Sequence, residues 1–326
     1  MNQPTVVSLF SGAGGADLGF EQAGLEVIYS CDVDPICKET YDNNFDCVQR
    51  PYSVQFILER MKSRMTLRQS VSDVLPDSDV IIGGPPCQSF SMIRVRNKLS
   101  CSGLENVYAM QEIVKIKRPK VFVCENVASI LKQDGMIPVF LEFKNGFVKD
   151  GYHVDAYIFN TADYGIPQHR ERAFFIGIRN DLYFSGARFC KPSGTPWSNL
   201  YGGWADYLDV DRQAWYVARA SNVKGRPGNM TTFTLTGAEW PVIRYSYGDM
   251  KMRGNQVNSI SHLAMNVEQR YLTKGELKKL QGFPEDFKFS GNMTEIRRQI
   301  GNAWSVPVGK AIGQEIRRLL NDDTKG

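Results

Sequence analysis

Val6-Val7-Ser8-Leu9-Phe10-Ser11-Gly12-Ala13-Gly14-Gly15 decides the fold. An apolar run of strand length ends in a serine and three glycines, and a helical stretch begins near Ala16. Glycines at such a turn let backbone approach a ligand closely at a helix N-terminus. The alternation repeats downstream. Val27-Ile28-Tyr29-Ser30, Val80-Ile81-Ile82, Val121-Phe122-Val123-Cys124 and Ala173 to Ile178 are all strand-sized. Asp34-Pro35 reads as an N-cap followed by proline at the first helical position. Val107, Met110 and Val114 recur at helical spacing until Pro119. Strands alternating with helices from residue 1 to about 180 predict a mostly parallel sheet covered by helices. Helical pattern returns near Thr273, and Val308, Ile312, Ile316 and Leu319 line one face of a last helix.

The chain has 326 residues, 42% hydrophobic and 23% charged, enough for one large domain and a small one. That composition excludes wholesale disorder. No run approaches the roughly 18 apolar residues of a membrane span, and Met1-Asn2-Gln3-Pro4 lacks the basic start of a secretory signal. A soluble, cytoplasmic protein is expected. The seven cysteines include no Cys-x-x-Cys pair and the three histidines have no ligand spacing, so neither a metal site nor a disulfide framework is expected. Residues 186 to 262 carry nine basic and five acidic side chains, against 30 of each elsewhere. The formal excess of +4 therefore sits in this segment, with four of the five tryptophans. An ordinary basic surface explains such an excess; a basic, aromatic module also suits a polyanion. Its nine glycines and short β-branched runs predict a small, mostly β or irregular module.

Four motifs fall where the predicted strands end. The glycine turn, Phe10, Ser11, Gly12, Ala13, Gly14 and Gly15, is followed at the end of the second strand by Asp32-Val33, where a carboxylate can grip ribose hydroxyls. Plain structural use accounts for these two features equally well. Gly83-Gly84-Pro85-Pro86-Cys87 is a stiff turn that sets a thiol at the carboxyl edge of the sheet. A lone cysteine is usually inert core, but this presentation favours a nucleophile. Glu125-Asn126-Val127 closes the next strand and puts a partly desolvated carboxyl group on that edge, suited to proton transfer. In Gln168-His169-Arg170-Glu171-Arg172, arginines two apart share a face of an extended chain and can converge on one anion or carbonyl. A surface salt bridge is the plainer reading of that pair.

In this order, the motifs together with Leu280-Gln281-Gly282-Phe283-Pro284 and Gly301-Asn302 resemble the DNA cytosine-5 methyltransferases of bacterial restriction–modification systems over nearly the whole chain. The resemblance implies an α/β, Rossmann-like domain that binds S-adenosylmethionine and releases S-adenosylhomocysteine. A target-recognition domain at 186–262 would be inserted between a catalytic domain at 1–185 and a C-terminal segment at 263–326 that completes it. Phe10 to Gly15, Asp32, Val33, Pro86 and Asn302 would hold the cofactor. Thr66-Leu67 stands about as far ahead of the cysteine as the family's usual adenine-binding Asp-Ile or Asp-Val pair, and is expected to serve in its place. Cys101-Ser102-Gly103 replaces the family's Asp-x-Arg after the mobile loop.

The chemistry explains the set. C5 of cytosine accepts a methyl group only after a thiolate adds at C6 while N3 takes a proton. The resemblance casts Cys87 as nucleophile, Glu125 as the acid, Arg172 as the group holding O2, and Arg170 as a second electrostatic aid. A stacked base must be flipped out of double-stranded DNA. Gln88, Ser89, Arg94, Arg96 and Lys98 are the expected closing segment; Lys224, Arg226, Thr234, Leu235 and Thr236 are expected DNA contacts within the module. A monomer is expected, with a companion restriction endonuclease acting on the same site. Alternatives on the same scaffold are a tRNA cytosine methyltransferase and a catalytically silent DNA-binding homologue. A dinucleotide oxidoreductase leaves the Pro-Pro-Cys turn unexplained.

Overall fold

The computed structural model describes residues 3–86, 104–201, 203–210, 214–217, 226–227, 232, 235, 241–245, 252–253, 256–257 and 268–323. Cys87, Gln88, Ser89, Arg94, Arg96, Lys98, Lys224, Thr234, Thr236 and the Cys101–Gly103 stretch lie outside them, as does the side chain of Arg226.

A six-stranded sheet organises the amino-terminal part of the chain: β1 (Thr5–Leu9), β2 (Glu26–Cys31), β3 (Val80–Gly83), β4 (Val121–Val127), β5 (Tyr152–Asn160) and β6 (Glu171–Arg179). Its order is β2-β1-β3-β4-β6-β5. β1 pairs in parallel with β2 and β3, β3 with β4, and β6 runs antiparallel to β4. The chain leaves β1 to one side for β2 and returns on the other for β3. The switch point of this sheet therefore lies between the carboxyl ends of β1 and β3, the crevice where open α/β sheets bind ligands.

Local chemistry explains the helices. α1 (Gly15–Gln22) follows the glycine turn. α2 (Pro35–Asp42) starts at the expected cap, with the Asp34 carboxylate accepting from Ile36 N at 3.0 Å and proline at N1. α3 (Val54–Thr66) is capped by Ser53. α4 (Glu105–Lys117) stops ahead of Pro119, with Arg118 left-handed. α5 (Ile137–Lys149) contributes Phe143 and Phe147 to an aromatic core, the latter stacked on Phe122 at 4.0 Å. Opposite Phe122 in the ladder is Gly177, where any Cβ would fall within 1.9 Å of that ring. Among the described residues no helix is long and apolar enough to cross a membrane.

The chain divides into two compact units, Met1–Phe159 with Arg172–Pro192 and Gly309–Gly326, and Asn160–Glu171 with Ser193–Val308. The second unit is larger than the segment 186–262 anticipated from sequence. It contains α6 (Lys274–Gln281) and α7 (Met293–Asn302), both with capping boxes, a four-stranded sheet of order β12-β9-β7-β8, and a two-stranded β10-β11 ribbon. Those strands are β7 (Ala214–Val217), β8 (Arg226–Pro227), β9 (Val242–Tyr245), β10 (Met252–Arg253), β11 (Gln256–Val257) and β12 (Glu268–Tyr271). Hydrogen bonds explain the enlargement: His169 N donates to Thr232 O and Thr232 N to Pro167 O, so the segment before β6 joins this unit. From residue 309, α8 (Val306–Asp323) belongs to the first unit. There Gly309 and Gly313 let it pack against Ala16, Gly19 and Phe20 of α1 and the Ala23 that caps it.

Candidate active site

The candidate residues of the first unit gather at the carboxyl ends of β1, β2, β3 and β4. Leaving β1, the chain passes through Phe10 (φ 55°), Gly12 (φ 55°) and Gly14 (φ 88°) before α1 begins. Such angles strain any residue with a Cβ, and a left-handed phenylalanine is a marked feature at a ligand site. The two glycines serve different ends. A Cβ on Gly14 would fall 2.4 Å from the Phe45 ring, whereas one on Gly12 meets nothing within 4 Å among the described residues. Gly14 is a packing glycine, and Gly12 faces open space.

Asp32 ties this turn to the end of β2. Its Oδ2 accepts from Gly12 N and its Oδ1 from Asp34 N, each at 2.9 Å. Burial pushes the carboxyl above the usual carboxylate range, opposed by those two backbone donors. With about four acceptor sites and backbone donors from Gly12, Asp34 and Val33, the carboxylate keeps capacity for a ligand hydroxyl. Val33 beside it is 65% exposed and offers an apolar surface at the same edge. An open glycine cradle, a helix N-terminus and a half-buried acceptor fit an adenosyl cofactor.

β3 ends at Gly83, where a Cβ would crowd Met110 and the Leu9 carbonyl, so glycine lets β1 and β3 approach. Pro85 is buried and Pro86 exposed, and the chain then runs to Cys87. Burial pushes the thiols of Cys31 and Cys124 far above the ordinary thiol range, and that of Cys47 to about 11. None of these three is suited to nucleophilic attack.

β4 and β6 supply the polar pair. In their antiparallel register Val127 faces Arg172, so Glu125 is the diagonal neighbour of Arg172 on the same face. Arg172 Nε stands 3.0 Å from Glu125 Oε1, with both side chains largely buried. The guanidinium thus orients the carboxylate at the sheet edge.

Arg170 does not join them. It precedes β6, is buried, and donates to the carbonyls of Leu235 (2.8 Å), Gly301 (3.0 Å) and Ala303 (2.9 Å) within the second unit. Convergence with Arg172 fails because the extended strand begins only at Glu171. Arg170 instead secures the backbone on both sides of Asn302 and at Leu235. Gln168 completes that grip, accepting from Leu235 N at 3.1 Å and donating to Leu280 O and to Gln281 Oε1. Both backbone polar groups of Leu235 are thereby held, and its threonine neighbours flank an anchored residue. Asn302, the last residue of α7, is exposed.

Thr66 and Leu67 do not reach the cradle. Asp32 N donates to Arg50 O just before α3 begins, and α3 then runs 13 residues, about 20 Å, toward the amino ends of the strands. Thr66 Oγ1 donates to the Lys62 carbonyl, and Leu67 is 64% exposed. The expectation of an adenine contact there is corrected. Counting back from the cysteine lands at the far end of a helix, because the connection between α3 and β3 is long.

Strand order and switch point are those of the Rossmann-like methyltransferases, and solved structures share the fold. The S. pombe Dnmt2 methyltransferase superposes with a TM-score of 0.62 at 18% identity, over 98% of this chain and 99% of that one. The Entamoeba histolytica methyltransferase EhMeth gives 0.63 at 19%, over 99% of each. The sequence narrows the class, since the pattern of the C-5 cytosine-specific DNA methylases matches residues 4–318. Type II methyltransferase M.NgoFVII of Neisseria gonorrhoeae is 32% identical over 332 residues, 93% of this chain and 83% of the relative. M.FnuDI of Fusobacterium nucleatum is 29% identical over 98% of this chain and 96% of its own. The chain belongs to the C-5 cytosine-specific DNA methylase family and is a DNA (cytosine-5-)-methyltransferase. Its family uses S-adenosylmethionine generally, and DNA as substrate accords with that membership.

Proposed function

We propose that this chain methylates C5 of a cytosine flipped out of a specific double-stranded DNA sequence, through a covalent bond between Cys87 and C6. The observation that carries the reading is the part-buried Glu125–Arg172 pair on β4 and β6. It lies one strand from β3, whose end leads into Pro86-Cys87. Phe10 to Gly15, Asp32, Val33, Pro86 and Asn302 are the proposed holders of S-adenosylmethionine, whose sulfonium supplies an activated methyl group. Cys87, as thiolate, adds at C6. Glu125 shares a proton with N3, so that charge built up by the addition is not stranded on the ring. Arg172 stays paired with Glu125 and donates to O2. After methylation, a water molecule takes the C5 proton, the freed electron pair expels the Cys87 thiolate from C6, and N3 gives its proton back to Glu125, which restores the aromatic ring.

Gln88, Ser89, Arg94, Arg96 and Lys98 are assigned to closing over the opened duplex. Lys224, Arg226, Thr234, Leu235 and Thr236 are assigned to the recognition module. Arg170 is moved from the chemistry to anchoring Leu235. We further propose that the protein acts as a monomer, on DNA in a bacterial or archaeal cytoplasm, beside a restriction endonuclease of the same specificity. Bisulfite sequencing of DNA from cells expressing the protein tests the reading. One sequence context should be protected from conversion, and loss of protection in Cys87→Ser should accompany it. Uniform conversion in wild-type cells overturns the proposal.

A further inference from the structure

Beneath the glycine turn lies a side chain that no motif points to. Gln49 is wholly buried, in a short stretch that extends the pairing of β2. Arg50 N donates to Ser30 O at 2.8 Å and Asp32 N to Arg50 O at 3.1 Å. Gln49 N itself donates to Asp42 Oδ1 at 2.9 Å, which fixes the backbone from which the carboxamide projects. Nε2 then donates twice, to Ser11 Oγ at 3.0 Å and to the Gly12 carbonyl at 2.9 Å.

These bonds close a set. Ser11 Oγ accepts from Gln49 Nε2 and from Ser30 Oγ (2.7 Å) and donates to Cys31 O (2.9 Å). A hydroxyl has one donor and two acceptor sites, so Ser11 has none left. Gly12 is held at both its polar groups, its N–H by Asp32 and its carbonyl by Gln49. The assignment of the amide is unambiguous, since a carbonyl can only accept. Among the described residues the remaining atom, Gln49 Oε1, has no hydrogen-bond partner although it is buried. An unsatisfied buried acceptor is a departure that folds tolerate where local geometry serves function.

We infer that Gln49 is the positioning residue of the S-adenosylmethionine site, holding Ser11 and Gly12 in the binding conformation without touching the cofactor. The inference rests on the reading that the glycine turn binds S-adenosylmethionine. The turn has left-handed angles at Phe10 and Gly12 and no strand partner for the Gly12 carbonyl, so the clamp sets how often the competent shape is populated. Apparent affinity scales with that population.

Two variants of the full chain test this, read by titration calorimetry with S-adenosylmethionine and by steady-state kinetics. Gln49→Leu keeps the volume and removes the amide. Its Kd for S-adenosylmethionine should rise by about tenfold or more, the loss expected for two neutral hydrogen bonds. Its kcat at saturating cofactor and its KM for DNA should stay within about twofold of the unaltered protein. Gln49→Glu sets a carboxylate against the Gly12 carbonyl, and only its protonated form regains a donor. Its affinity relative to unaltered protein should therefore recover as pH falls from 8 toward 5.5, while that of Gln49→Leu stays flat. The ratio is needed because other charged and titratable groups belong to the same network: Asp42 accepts from Gln49 N, Asp32 holds Gly12 N, Arg50 follows in the chain, and Asp17 bonds Tyr41 and interacts with Glu21 and Cys47. Unchanged affinity in Gln49→Leu overturns the inference. So does a joint loss of cofactor affinity, DNA affinity and kcat with no pH recovery in Gln49→Glu, which marks a purely structural residue. An unaltered protein that takes up no S-adenosylmethionine instead overturns the reading of the site.

Discussion

Gly12→Ala and Gly14→Ala add the same methyl group two residues apart and should fail in opposite ways. At Gly14 the new carbon would lie 2.4 and 2.7 Å from Phe45 ring atoms and 3.1 Å from Tyr41, at φ 88°. Both rings are buried and stacked on each other at 4.2 Å, so neither can swing aside cheaply. A left-handed alanine costs roughly 1–2 kcal/mol and overpacking a further 1–3; the reduced freedom of the unfolded chain offsets roughly 0.4–1 of this, leaving a loss of about 1–5 kcal/mol. At Gly12 the φ of 55° imposes the first cost alone, and among the described residues nothing lies within 4 Å of the added carbon. Reduced freedom of the unfolded chain offsets roughly 0.4–1 kcal/mol of it, leaving about 1 kcal/mol. The open space beside Gly12 is where the cofactor should approach. Gly12→Ala should therefore unfold in urea almost as the unaltered protein does, yet bind S-adenosylmethionine at least tenfold more weakly. Gly14→Ala should show the larger loss of stability. Equal destabilisation by both, or full cofactor affinity in Gly12→Ala, would refute the division between a packing glycine and a ligand-facing one.

Duplex carrying 5-fluorocytosine at a verified target base should trap the protein, because fluorine cannot leave C5 as a proton does. The adduct should survive denaturing electrophoresis, vanish in Cys87→Ser and persist in Cys124→Ser; a target methylated normally that gives no adduct when fluorinated sinks the covalent route. Asp17 lies buried under α1, accepting from Ser8 Oγ at 2.6 Å and Tyr41 Oη at 2.7 Å. Burial raises its carboxyl to about 6 from 3.8 despite those donors. The folded state then holds the proton more tightly than the unfolded chain, so ionisation weakens the fold as pH rises between those values. Stability of the unaltered protein relative to Asp17→Asn should fall by roughly 2–3 kcal/mol from pH 4 to 7 in denaturant titrations, and a flat difference would exclude it. Arg170→Met strands three buried carbonyls and should cost roughly 3–5 kcal/mol. Urea unfolding would detect this, and a loss below about 1 kcal/mol would deny the anchoring role.

Sequence alone determined the elements whose partners are near in the chain. The glycine turn after β1, the Asp34-Pro35 cap, the α4 stop before Pro119 and the apolar face of α8 all lie where periodicity and turn chemistry place them. Those signals act within a few residues, so no knowledge of packing is needed to read them. Glu125 was legible for the same reason, as the residue closing a strand beside the Pro-Pro turn. Its pairing with Arg172 needed the antiparallel register of β6, which strand-sized runs do not reveal. Tertiary structure decided the rest. Arg170 and Arg172 look equivalent in Gln168-His169-Arg170-Glu171-Arg172, yet one binds carbonyls up to 133 residues away and the other a carboxylate one strand over. Thr66 sat at the right count from Cys87 and the wrong end of α3, because sequence distance does not say where a helix turns back. Gln49 had no signal at all: a polar residue between Val48 and Arg50 that belongs to no motif, it acquires meaning only when β2 and the glycine turn, 38 residues earlier, close over it. Buried polar groups take their partners from the whole fold, since each needs a bond wherever the packing leaves one within reach.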